Sequence, residues 1–125
     1  MKTILFLCLF IFLTLCAGAI AWTLRPDHYG EPFAGYPSVP LDAVLADPTP
    51  YLEKSIRLQG TVSRQCALTG CFFFFALGEK RVRIEVSDLA TLIPQRRGYR
   101  AQVEGTLIKH YDEIVLRGRS VSFFW

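Results

Sequence analysis

The chain has 125 residues, 51% of them hydrophobic and 20% charged, with 14 Lys and Arg against 11 Asp and Glu for a formal charge of +3. That size holds one small domain, alone or with a targeting segment. Apolar content this high excludes a disordered tail, and neither a collagen period nor the cysteine density of a disulfide-stapled mini-protein is present.

The first element is an apolar segment. No side chain from Thr3 to Leu24 is charged, and Lys2 and Arg25 bracket the run. Residues 1–21 therefore read as a signal peptide or a membrane anchor. Ala19-Ile20-Ala21 has the small-x-small pattern that a signal peptidase reads, and cleavage there leaves Trp22 at the head of a mature chain of 104 residues. The same run is long enough to span a bilayer, with Trp22 suited to the interface. Cys16 does not fit a lipoprotein cysteine, because the bulky Leu15 stands where a small residue is expected. Removing Lys2 leaves a charge of +2, too weak a bias to predict a polyanionic partner.

Residues 22–40 form a proline-rich arm, with Pro26, Pro32, Pro37 and Pro40 and the aromatic residues Tyr29, Phe33 and Tyr36. Four prolines predict an extended path, and the aromatics predict that part of it lies against the domain. In the domain that follows, 41–125, Leu41, Val44 and Leu45 fall at helical spacing between Pro40 and Pro48, which predicts one short helix.

From Ser55 the apolar period changes to two. Strands are predicted from Ser55 to Gln65, from Cys71 to Leu77 and from Arg81 to Val86, the last two joined by the polar turn Gly78-Glu79-Lys80. Ser87 and Asp88 before Leu89, Leu92 and Ile93 read as a capped helical turn that Pro94 ends. Two more strands follow, from Tyr99 to Ile108 and from Glu113 to Val121, connected by His110-Tyr111-Asp112. The strands at 55–65 and 99–108 echo each other, each with a central glycine, Gly60 and Gly105. A glycine inside a strand marks a bend or bulge, which a small barrel needs to close. The expected fold is all-β: a five-stranded OB-like Greek-key barrel with one short N-terminal helix and a helical turn between strands three and four. A flat sheet or small sandwich is the alternative.

Leu45-Ala46-Asp47-Pro48, Tyr51, Lys54, Gly60-x-Val62, the Cys66 and Cys71 pair with Gly70, Ile93-Pro94, Gly98 and Val103-x-Gly105 together resemble domain-of-unknown-function family 4920. Its members are small exported bacterial proteins with OB-like folds, and the resemblance runs from Gly30 to Val121. Phe72 departs from it where that family usually has Trp, and Glu53 where a glycine is expected. The resemblance implies a compartment, a fold and a focus on the two cysteines, without implying a reaction.

Cys66 and Cys71 bracket the hairpin loop Ala67-Leu68-Thr69-Gly70, an arrangement expected to set the two thiols across its base. Opposed strand residues have Cα atoms within disulfide range, and an exported chain favours oxidation. The rival use is a soft-metal site: copper needs only the two thiolates, whereas zinc needs His28 and His110 as additional ligands. A redox role is the third reading, weakened by spacing longer than the two-residue redox motif. Phe73, Phe75, Arg81 and Arg83 make a candidate binding face, since aromatics beside basic groups suit single-stranded nucleic acid. Export argues against that ligand, and the expected partners are a protein or a metal ion, with the membrane if the N-terminal segment is uncleaved.

Arg96, Arg97 and Arg100, with Arg117 and Arg119, read as a solvated strand face or as a positive flank for a membrane or acidic partner. The tail Phe123-Phe124-Trp125 packs under the barrel, docks a partner or touches the bilayer. No phosphate loop, nucleophile elbow or zinc-protease helix is present, so the expectation is a non-catalytic accessory module.

Overall fold

The structure, a computed structural model, describes residues 1–23, 27–66, 71–89 and 93–124, with backbone alone at 22 and 23. The expectations that concern the Trp22 side chain, the loop at 67–70, Leu92 and Trp125 lie outside the described residues. Helix α1 spans Lys2–Thr23. Over Lys2–Ala21 its mean hydropathy is 2.8 and none of it is buried, so the helix is long and apolar enough to cross a membrane. A rise of about 1.5 Å per residue makes it roughly 33 Å long. Being apolar on every face, it has no polar side to turn to water.

Strand β1 is Asp27–Gly30, α2 is Leu41–Ala46, and the barrel strands are β2 (Ser55–Gln65), β3 (Phe72–Leu77), β4 (Lys80–Glu85), β5 (Arg100–His110) and β6 (Glu113–Phe124). β2 lies antiparallel between β3 and β5, β3 is antiparallel to β4, β4 is parallel to β6, and β6 returns antiparallel to β5. The ring β2-β3-β4-β6-β5 closes on itself, which is the five-stranded order expected. A 3-10 turn, Ser87–Leu89, begins the crossover that the parallel β4/β6 pair requires.

β1 is a sixth strand that no alternation in the arm foreshadowed. β4 pairs with β6 only at Val115 to Arg117, whereas β1 pairs at Ser120 to Phe123. The long β6 thus offers β4 the first half of one edge and β1 much of the second. Edge N–H and C=O groups that would otherwise invite another chain are covered this way.

Ile56, Leu58 and Val62 of β2, Phe73 and Phe75 of β3, Val82 and Ile84 of β4, Val103 and Leu107 of β5 and Leu116, Val121 and Phe123 of β6 fill the core. Val44 of α2 joins them, fully buried. Bulges between Val62 and Arg64 and opposite the Glu104/Gly105 step bend the long strands. The second one changes the face of β6, so Leu116 points inward before it and Val121 and Phe123 after it. The two central glycines sit where the chain has no room: a Cβ at Gly60 would meet the Phe75 ring at 2.8 Å, and one at Gly105 would overlap the Arg117 carbonyl of β6. Phe123 is core, its ring tilted against Phe73 at 5.7 Å and edge-on to Tyr29 at 6.0 Å, so this residue of the tail packs under the barrel, while Phe124 is half-buried.

The arm is strapped to the barrel by Glu104. Its side chain leaves the outer face of β5, opposite Arg57 of β2, and is completely buried. The carboxylate accepts N–H groups from Ala34 at 2.6 Å, Gly35 at 3.1 Å and Tyr36 at 2.9 Å, and the Arg57 guanidinium at 2.8 Å. Gly35, at φ +80°, lets three successive N–H groups converge on one anion. Arg57 also donates its backbone N–H to Pro37 and lies over the Phe33 ring at 4.8 Å. Burial pushes the Glu104 pKa upward, but the Ala34, Arg57 and Tyr36 contacts outweigh it and hold the carboxyl below its ordinary value.

Glu104→Ala is expected to cost about 3 kcal/mol in denaturant unfolding, because it strands three N–H groups and a guanidinium that is mostly covered. A depressed folded pKa means that the carboxylate's contribution is complete above the ordinary value of 4.5 and is lost as the pH falls through the lower folded value. Glu104→Gln should remove that acid-side dependence. Gly105→Ala should cost about 2 kcal/mol by the same assay, since β5 and β6 must separate to admit a methyl group.

Candidate functional site

The cysteines sit where β2 ends and β3 begins. Gln65 pairs with Phe73, and the Cys66 N–H donates to the Phe72 carbonyl at 3.0 Å. Cys66 therefore opposes Phe72, and Cys71 is one position further on. The directly opposed thiols expected from the hairpin are corrected to an offset pair, because the bulge after Val62 shifts the β2/β3 register. Both cysteines are partly exposed. The neighbouring segment holds this end in place: Gln95 donates to the Cys66 carbonyl at 2.7 Å, and Gln65 bonds both the Pro94 carbonyl and the Arg96 N–H.

Neither histidine comes to the cysteines. His28, on β1, donates Nε2–H to the Glu31 carbonyl at 2.7 Å, and its Nδ1 meets the Ser122 hydroxyl at 2.6 Å, so both ring nitrogens are engaged. His110 ends β5 beside Tyr111, near Arg81 at the start of β4, whereas Cys71 bonds Val86 just past the far end of that strand. Among the described residues no three His, Cys, Asp or Glu side chains converge on a point that a metal ion could occupy.

The candidate binding face also needs correction. Phe73 and Phe75 are wholly buried in the core and cannot meet a ligand. Four successive phenylalanines on a strand alternate sides, and the outward ones are Phe72 and Phe74. Arg83 stacks over Phe72 and Arg81 over Phe74, each at 4.3 Å, which leaves Phe74 only 7% exposed. Arg83 further lies 3.3 Å from Glu85 and 3.7 Å from Glu113.

From this face a groove runs along the outside of β5 and β6. Its first part, about 240 Å³, has Ile108 and Val115 as its floor and Arg83, Glu85, His110 and Glu113 around them. Sharing Ile108 and Arg117, a second part of about 480 Å³ continues past Thr106 and Arg119 to Gly30, Asp88 and Leu89. This second part lies where the edge of β6 has left β4 and has not yet fully met β1, around Gly118 and Arg119. Arg117 pairs with Asp88 at 3.4 Å. Arg119 lies over the Tyr36 ring at 5.5 Å, and its buried Nη1 has no hydrogen-bond partner. Thr106, Ile108 and Val115 gave no sequence signal, since they look like ordinary outward or core positions until the curvature of the ribbon is known.

A third cluster lies where β1 starts. Arg96 donates to Asp27 at 2.7 Å, and that contact raises the Arg96 pKa. Burial, then the Asp27 carboxylate, push the Tyr29 phenol upward.

No family model and no curated protein matches the chain. Among solved structures, an assigned aspartyl-tRNA synthetase from Leishmania major Friedlin superposes with a TM-score of 0.52 at 14% identity, over 74% of this chain. The chain spans about a fifth of that protein, 21% of its length. The protein YgiW of E. coli is matched over 74% of this chain and 100% of its own, with a TM-score of 0.47 at 8% identity. At such identities the likeness concerns the fold alone. The strand order defines the class: the chain is an OB-like barrel protein, and it carries an apolar N-terminal helix long enough to cross a membrane.

Proposed function

We propose that the chain is an exported, membrane-tethered, non-catalytic module that binds a protein partner in the groove outside β4, β5 and β6. The groove carries this reading. It has an apolar floor, Ile108 and Val115, and charged walls of both signs, with Arg83, Arg117 and Arg119 against Glu31, Glu85, Asp88 and Glu113. Apolar area supplies affinity, and charges of both signs, with Arg83 and Arg117 already paired to carboxylates, supply registry without favouring a polyanion. Nucleic acid would need a basic groove and accessible rings, whereas Phe73 and Phe75 are core. Beyond Lys2, α1 carries no charge, and its length and hydropathy support export and tethering.

A photo-cross-linking residue at Thr106, within the groove, should give a discrete product in native membranes, whereas one at the exposed Gln59 on β2 should not. Ile108→Glu should lower that yield about tenfold while moving the thermal midpoint by no more than about 2 °C. Equal yields from Thr106 and Gln59 would remove the groove as the binding site.

Within the same reading, Cys66 and Cys71 close their four-residue loop as a disulfide, which an exported compartment favours. A soft metal such as copper, held by two thiolates, is the competing use; zinc would lack its histidine ligands, which lie elsewhere. Intact mass of the natively purified chain should be two hydrogens short, with neither cysteine of the pair alkylated. Two alkylatable thiols, with a metal mass lost on denaturation, would overturn the staple.

A further inference from the structure

The charge of this protein is modest in total and strongly uneven in space. Thr61 at one end of the barrel pairs with Arg100, and Arg64 follows three residues later. The segment before β5 is tied to the same place, since Gly98 donates to the Val62 carbonyl and the Arg96 N–H to the Gln65 side chain. Arg64 and Arg97 flank one depression with Gln65 and Gln95 between them. Arg100 lies over the Phe124 ring at 5.3 Å. Arg64, Arg97 and Arg100 are exposed, and among the described residues Asp27 is the one carboxylate of this end, already paired with Arg96. Four arginines thus stand against one aspartate here. The rest of residues 27–125 carries eight basic against ten acidic side chains.

The same end is where the chain arrives from α1. Asp27 opens β1 opposite Phe123, and only three residues separate it from Thr23, the last residue of the helix. Four peptide links span at most about 14 Å. With α1 in a bilayer, this end of the barrel is therefore held near the surface, within about two Debye lengths at physiological salt. The groove lies along the flank of the barrel and comes no nearer to Asp27 along β1 than Gly30.

Resting on the reading that α1 remains in the membrane, we infer that the Arg64, Arg97 and Arg100 end of the barrel docks on an anionic lipid surface. Docking sets the barrel upright, with Phe124 beside Arg100 at the headgroup level and the groove facing outward. Three exposed guanidiniums suit lipid phosphates, each gaining from the surface potential because the tether keeps it close. Repulsion of the more acidic remainder by the same surface favours this orientation over the inverted one.

The test uses the full chain, α1 included, reconstituted into nanodiscs of phosphatidylcholine alone or of phosphatidylcholine with phosphatidylglycerol. Arginine modification by phenylglyoxal is then read residue by residue by mass spectrometry. Arg64, Arg97 and Arg100 should react about fivefold more slowly in the anionic discs. Arg81 and Arg117, exposed elsewhere, should react alike in both and serve as internal standards. Protection should vanish near 1 M salt, where the Debye length is about 3 Å, and Arg64 should lose it in the double variant Arg97→Glu/Arg100→Glu. Equal rates in the two lipids, or protection shared by Arg81 and Arg117, would overturn the inference. Failure of the tether itself is read separately, as a natively purified chain lacking the mass of its first 21 residues, while the reconstituted uncleaved chain still tests the docking.

Discussion

Much of this structure depends on one buried carboxylate. Glu104 points out of the barrel, toward what would be solvent if residues 33–37 were elsewhere, yet it is completely buried. An ionised group in that position costs several kcal/mol unless its oxygens are satisfied, and here a guanidinium and three backbone N–H groups satisfy them. A well-packed apolar pair could stabilise such a site as well. What the carboxylate adds is direction, because only one path of the arm aims Ala34, Gly35 and Tyr36 at the same two atoms. With the arm fixed, β1 is positioned on β6, and the point at which the chain arrives from α1 is fixed at one end of the barrel.

Closure of the sheet sets the remaining geometry. Gly60 and Gly105 allow strand and ring, or strand and strand, to approach more closely than a Cβ permits, and the bulges turn the long strands through the corners. β6 is long enough to take β4 first and β1 later along one edge. The stretch between these partners widens into the larger part of the groove. The surface with the most binding character is thus a consequence of how a five-stranded ring accommodates a sixth strand.

Electrostatics in this protein are a matter of placement more than of sum. A formal charge of +3 says little, and the arginines of 96–100 read equally well as a solvated face or a basic flank. Folding gathers Arg64 with Arg97 and Arg100, although more than thirty residues separate them along the chain. Folding also turns Phe72 and Phe74 outward beneath Arg83 and Arg81, so basic and aromatic residues that resembled a ligand platform are already partnered with each other.

The sequence by itself determined the apolar helix, the short helix at Leu41–Ala46, the five barrel strands to within a few residues, and the glycine corners. Each of these is written in local periodicity, in proline positions or in an uncharged run, which nearest neighbours along the chain suffice to express. Only the tertiary structure decided that β1 exists, that Glu104 is buried, that Cys66 faces Phe72, that the histidines stay apart from the cysteines, and that Phe73 and Phe75 are core. These depend on register and on contacts between residues as distant as Ala34 and Glu104. A bulge shifts register by one residue and reverses every side chain beyond it, and a carboxylate is buried only when another segment arrives to cover it; neither event leaves a periodic trace in the chain.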